Sequence, residues 1–302
     1  MPIVRDLVGY GSGRPDITWP NGARVAVSLV LNFEEGAELA VEQGDAETEK
    51  FGEVASVQPP GVRDLIQEQT FNFGMRVGLW RFLDAFDRYA VPVTLMMCGR
   101  AVERVPELAR EAVRRGHEPA VHGWRWTPNS RFQNRATERD DIVRTRDVIA
   151  AATGVTPVGF MCRGGQSAWT RDLVSELGFL YDSNALDDEL PYWDREARPK
   201  PVLVLPYGFD TNDMKFFNLN GFITPSDFSS YVSCALDTLL AEAGRGQSSM
   251  LTIGFHLRIC GRPARFAAVE SILAKVVQCG DRLWVARRRD IAEHFVRACR
   301  PS

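Results

Sequence analysis

RVAVSLVLNF, Arg24–Phe33, is a nearly unbroken apolar run of strand length, followed at once by Glu34, Glu35 and Gly36. Rich in Val and Leu and without strict polar alternation, it fits a strand covered on both faces, as strands inside parallel sheets are. A parallel sheet needs crossover helices, and the rest of the chain supplies them. Helical patterns occupy Phe73–Tyr89, Val105–Gly116, Glu138–Thr153, Thr170–Leu177, Ser226–Ala243, Ala264–Gln278 and the stretch from Arg289. Strand-like runs lie between them at Val91–Cys98, His117–His122, Val158–Cys162, Val202–Pro206, Met250–His256 and Leu283–Ala286. The alternation predicts an α/β protein, a distorted (β/α) barrel of about seven parallel strands, with an open doubly wound sheet as the alternative. Residues 1–302 read as a single domain. Two stretches fall outside the rhythm: an N-terminal arm, Met1–Gly22, and a polar insertion, Ala37–Asn72, of the kind that walls an active site or makes an oligomer contact.

A net charge of -3 on 302 residues, with Lys and Arg scattered, argues against nucleic acid or a membrane surface as partner. No run is long and apolar enough to span a bilayer, and MPIVRDLVGYGSG lacks the basic-then-apolar pattern of an export signal. A cytoplasmic location is expected. The six cysteines are widely spaced with no CxxC pair, so reduced thiols are expected rather than a disulfide framework.

Polar residues interrupt the apolar strands mainly at their carboxyl ends: Glu34 and Glu35, His122, Arg163, Asp210 and His256. In parallel βα folds that is where loops and helix N-termini converge on a site. Adjacent Glu34 and Glu35 point to opposite sides of an extended chain, so one can face a cavity and take a proton from water. His256 is suited to protonate a departing atom. Arg163 and Arg125 could hold a carbonyl or carboxylate. Base, acid and cationic clamp together describe hydrolysis of an amide or ester. A lone His122 in an apolar run is by itself more often a satisfied core residue. Cys162 reads as a small buried hydrophobe or a nucleophile beside a cation. Asp210, Asn212 and Asp213 bind substrate or form an Asx turn, and Asp182 is equally open. The run ARRRD, Ala286–Asp290, reads as the solvated entrance to the last helix.

Taken in order, WPNGARVAVSLVLNFEEG, HGWRW, CRGG with its following Ser167, GFLYDSNALDDELPYW, DTNDMKF and FHLRICGRPARFAA resemble the polysaccharide deacetylase-like (NodB-homology) superfamily, and more closely its allantoinase and cyclic imide hydrolase branch. The resemblance covers essentially the whole chain. It implies a homo-oligomer, dimer or tetramer, that hydrolyses C–N bonds of small amides. In the carbohydrate-acting members the paired acids are a base and a metal ligand, and two histidines four apart complete the cation site. Here Glu34 and Glu35 stand at the acids and His122 at the first histidine. Trp126 stands at the second, and indole cannot ligate.

The resemblance thus implies no obligatory cofactor. The alternative is one Zn or other divalent cation held by Glu35, His122 and His256. By the same resemblance His256 is the acid and Arg163 orients the catalytic carboxylate. Trp124 and Trp126 are expected to wall a pocket for a planar ring, with His122, Arg125, Asp210 and Asp213 as further substrate contacts. The expected reaction is ring opening of allantoin, a hydantoin or a cyclic imide, with Glu34 as base, or Glu35 in a shifted register. The alternatives are a metal-dependent N-deacetylase of a sugar or peptidoglycan fragment and a non-catalytic binding protein.

Overall fold

The computed structural model describes residues 6–53 and 55–299; the first five residues of the N-terminal arm, Val54 of the insertion and the last three residues of the expected domain lie outside them. Strand β1, Val25–Phe33, is buried along its whole length and pairs with three other strands of the sheet. The insertion that follows is irregular apart from one short turn. It passes into helix α1, Leu65–Phe73, capped by the Asp64 carboxylate accepting from the Ile66 and Gln67 amides. A π-helical turn, Gly74–Gly78, joins α1 to α2, Leu79–Tyr89. β2, Thr94–Met97, is followed by two helices, α3, Gly99–Arg104, and α4, Pro106–Arg114, the second opened by its proline. β3, Glu118–Val121, leads to α5, Arg135–Thr153, capped by Asn134 and ended by left-handed Gly154.

The elements then shorten: β4, Gly159–Phe160; α6, Thr170–Glu176; β5, Tyr181–Asp182; β6, Tyr192–Asp194; and β7, Val202–Val204. A Thr224–Asp227 capping box with Pro225 starts α7, Pro225–Ala243. The chain closes with β8, Ser249–His256; α8, Pro263–Gln278; β9, Leu283–Val285; and α9, Arg288–Ala298.

The expected α/β distorted barrel is present, with nine strands among the described residues and one of them antiparallel. The order is β6-β7-β5-β4-β3-β2-β1-β8, β9 pairs with β1, and β6 runs against β7. The sheet curls without a ladder between β7 and β8. Side chains bridge that gap. Thr252 Oγ1 donates to the Pro206 carbonyl at 3.1 Å, and Thr211 Oγ1 donates to that of Thr252 at 2.5 Å. Arg288 completes the seam. Fully buried, it donates from Nη2 to the Leu205 and Pro206 carbonyls at 2.5 and 2.9 Å, and from Nη1 to Thr252 Oγ1 at 2.9 Å. This corrects the expectation of a solvated ARRRD run: its middle arginine is an internal tie, stable there because carbonyls and hydroxyls satisfy its donors.

Candidate active site

Register carries the carboxyl ends of β1, β2 and β8 to one rim, since Phe33 pairs with Met97 and Asn32 with His256. Glu34 directly follows β1, and the chain then turns at Glu35 and Gly36, closed by the Ala37 amide donating to the Glu34 carbonyl at 3.0 Å. Both are buried and both meet Arg258, whose Nη1 is closer to Glu34 Oε1, at 2.5 Å, than to Glu35 Oε1, at 3.4 Å. Glu34 Oε1 accepts from Arg258 Nη1 at 2.5 Å and lies 3.7 Å from His256 Nε2; Oε2 lies 3.6 Å from His122 Nε2 and has no hydrogen-bond partner among the described residues. Glu35 turns to backbone, its Oε1 accepting from the Arg258 amide at 3.0 Å and its Oε2 from the Glu34 amide at 3.3 Å.

The π turn makes room for this. A Cβ on Gly74 would stand 2.7 Å from Glu35 Oε1, and one on Gly78 would stand 2.2 Å from the Leu257 carbonyl. Only glycine lets α2 seat the loop after β8 so closely. Electrostatics then separates the two acids. Burial pushes Glu34 up, but the Arg258 guanidinium, then His256 and His122, outweigh it and hold the carboxyl below the usual carboxylate range. For Glu35 burial prevails over Arg258, the charge of Glu34 adds to it, and the carboxyl is raised to about 7. Neighbouring acids driven apart in this way are suited to different tasks, and the ionised one can accept a proton.

Each histidine is fixed through its other nitrogen. His122 Nδ1 donates to the Met161 carbonyl at 3.0 Å, and His256 Nδ1 donates to Asp213 Oδ1 at 2.6 Å. Asp213 Oδ2 also accepts the His256 amide at 2.8 Å, so one buried carboxylate sets ring orientation and tautomer. Asp213 was expected to touch substrate; it braces the histidine instead.

His122 and His256 line a cavity of about 790 Å³ that also takes in Trp126, Tyr207, Phe51, Cys162 and Arg163. Glu34 lies behind the two imidazoles. Three expected contacts are elsewhere. Trp124 faces a separate depression under Arg144, whose guanidinium sits 3.4 Å from the indole centroid. Arg125 donates to the carbonyls of Ala37, at 2.9 Å, and Glu38, at 2.7 Å, and pairs with Asp45. Asp210 is exposed and off the cavity wall. HGWRW turns through left-handed Gly123, so its three large side chains diverge and only Trp126 reaches the site.

Arg163 does line the cavity but does not orient the paired acids; it meets Glu49 of the insertion at 2.6 Å and the Trp126 carbonyl at 2.8 Å. The arginine on the acid pair is Arg258, which is fully buried, with Phe71 and Trp126 ring centroids 4.4 and 4.6 Å from its guanidinium carbon. Its sequence signal was faint: a cation two residues past His256 in an otherwise apolar turn. Cys162 is buried, and burial pushes its thiol up, so it packs as a small hydrophobe. Asp182 is buried against Arg171 at 2.5 Å.

Glu35, His122 and His256 do not form the ligand set that a resident cation would need. Glu35 is committed to two backbone amides, a guanidinium already covers Glu34 Oε1, and Trp126 brings an indole where a third donor would be required.

The polysaccharide deacetylase family model matches residues 66–181. A putative polysaccharide deacetylase from Schizosaccharomyces pombe is 34% identical over 97% of both chains. Among solved structures, a probable polysaccharide deacetylase from Pseudomonas aeruginosa PAO1 is 42% identical over 99% of both chains, with a TM-score of 0.91. PuuE allantoinase is 39% identical over 100% of both chains, with a TM-score of 0.93. Among the described residues no helix is long and apolar enough to cross a membrane. The chain belongs to the polysaccharide deacetylase family, whose members are hydrolases of C–N bonds other than peptide bonds.

Proposed function

We propose that the protein opens a C–N bond of a small cyclic amide of the allantoin, hydantoin or cyclic imide type. A water between the two imidazoles gives its proton to Glu34, and its oxygen adds to the ring carbonyl carbon. Glu34 hands that proton on to His256 Nε2, 3.7 Å from its Oε1, and His256 passes it to the ring nitrogen as the C–N bond breaks. The products are a carboxyl group and a freed N–H on one opened chain. His122 fixes water or substrate, Arg258 stabilises the ionised base, and Trp126, Tyr207 and Phe51 flank a planar ring.

The observation that carries this reading is the placement of ionised Glu34 within 3.7 Å of two imidazole Nε2 atoms, one of them backed by Asp213. The full-length likeness to PuuE allantoinase supports the same substrate class. N-deacetylation of a sugar with a bound divalent cation is the competing reading, favoured by the names of the Schizosaccharomyces and Pseudomonas relatives.

One experiment separates them. Purified protein is analysed for metals and then assayed on allantoin, hydantoin, succinimide and acetylated amino sugars, with and without chelator. Ring opening that survives the chelator is expected. Acetate release that chelator abolishes, without ring opening, overturns the proposal.

A further inference from the structure

We infer that the cavity selects uncharged rings and expels the carboxylate it makes, because each guanidinium on its described wall is already matched to an acid. Arg163 is held by both oxygens of Glu49, at 2.6 and 3.3 Å. Arg171 spans Asp182 at 2.5 Å and Asp194 at 3.0 Å and donates to the Asn184 carbonyl at 3.3 Å. Behind the floor, Arg258 is taken by Glu34. The same wall carries Asp187 and Asp194, its amides and hydroxyls at Asn32, Asn212 and Ser183 are uncharged, and its two imidazoles already face Glu34, with His256 also on Asp213.

A ligand carboxylate entering this space loses hydration and gains no unmatched guanidinium in return. It also meets fixed negative charge. A neutral ring pays neither cost. Hydrolysis adds one water across the ring C–N bond, and the new carboxyl then ionises by releasing a proton. Charge therefore appears only after bond breaking, where repulsion acts on product and not on substrate. The inference rests on the proposed ring opening for the identity of that product.

The test is calorimetric titration of the full chain with two open-chain probes that differ by one charge: N-carbamoylglycine, the acid from hydantoin, and its neutral amide. Hydantoin and hydantoin-5-acetic acid are compared as substrates in parallel. The amide is expected to bind at least about tenfold more tightly than the acid, and hydantoin-5-acetic acid to be turned over at least about tenfold less efficiently. Glu49→Gln releases Arg163 and should tighten the acid about tenfold while moving the amide by less than about twofold, a gain that a folding defect does not produce. Asp194→Asn, on an edge strand, leaves Arg171 paired with Asp182 but removes one negative charge from the wall, and it too should tighten the acid should E49Q fail to fold. Equal binding of acid and amide, or an acid that gains nothing in a folded variant, overturns the inference. The two proposals fail separately. Preference for the amide without turnover of any ring keeps charge selection and removes the reaction. Ring opening with tight acid binding does the reverse.

Discussion

Arg258→Met tests how the acid pair is held. The guanidinium is fully buried, flanked by Phe71 and Trp126, and its Nη1 meets Glu34 Oε1 at 2.5 Å. Methionine keeps most of the volume and the ring contacts and removes the charge. With charge centres roughly 4 Å apart and an effective dielectric of about 20, the lost attraction is about 4 kcal/mol, or about three decades in the proton affinity of Glu34. Breaking a buried pair from one side costs about 3–5 kcal/mol, a figure of the same size. The sign follows from the cause. Without the cation, burial dominates and Glu34 takes up its proton at higher pH. The acid limb of kcat/KM, which reports the free enzyme, therefore moves to higher pH.

Stability follows by linkage. The folded value for Glu34 lies below its unfolded one, so the pair's contribution is present above the ordinary carboxylate range and is lost as pH falls through the folded value. R258M lacks it at neutral pH. The assay is a kcat/KM profile across the acid limb, with denaturant melts at neutral pH. Glu34→Gln combined with R258M removes both charges and should be more stable than R258M alone. A folded R258M with wild-type melts and an unmoved acid limb refutes the reasoning.

Glu34→Gln alone should lower kcat/KM by about 10²–10⁴ with circular dichroism unchanged, whereas Glu35→Gln, which keeps an acceptor for the Arg258 amide, should stay within about tenfold of wild type; steady-state rates on a cyclic amide decide between the two acids. Asp213→Asn removes the carboxylate that fixes His256 and should lower kcat by at least about 10² with KM little changed, read from initial rates. Glu38 is buried, its Oε2 accepting the Gly36 amide at 2.5 Å, and burial raises it from 4.5 to about 7. Its folded value thus exceeds the unfolded one, so its contribution is full below 4.5 and is lost as pH rises through about 7. Glu38→Gln escapes that loss and should be more stable than wild type above neutrality by up to about 3 kcal/mol, with no gain at acid pH; denaturant melts at the two pH values check it.

Long covered strands were the legible part of the fold. Arg24–Phe33 coincides with β1 but for one residue and Met250–His256 with β8 but for one, since all nine residues of β1 and seven of the eight of β8 are buried and leave an unmistakable pattern. β5 and β6 were missed because Tyr181–Asp182 and Tyr192–Asp194 are short and mix aromatic with acidic residues, whereas the equally short β7 and β9 lie in apolar runs. α1 went unseen inside a polar insertion whose helix-forming signal is one aspartate cap. Gathering Glu34, His122 and His256 at strand ends was sound for a topological reason: alternation with helices forces strands parallel, and parallel strands end together.

The arginines fared differently, and the physics explains it. Arg125, Arg163 and Arg258 are chemically identical and all near the site, so their tasks depend on which acid reaches each one. Arg125 meets Asp45 and Arg163 meets Glu49, both acids from the irregular insertion, while Arg258 meets an acid 224 positions away. A guanidinium without such a partner is a clamp for anionic substrates; with one it is a brace. Where an irregular segment lays its carboxylates depends on many weak contacts and not on periodicity. The insertion therefore turns Arg125 and Arg163 into braces and leaves the acid pair to Arg258. A substitution in that segment which withdraws Glu49 changes the charge of ligand the cavity accepts without altering any group that moves a proton.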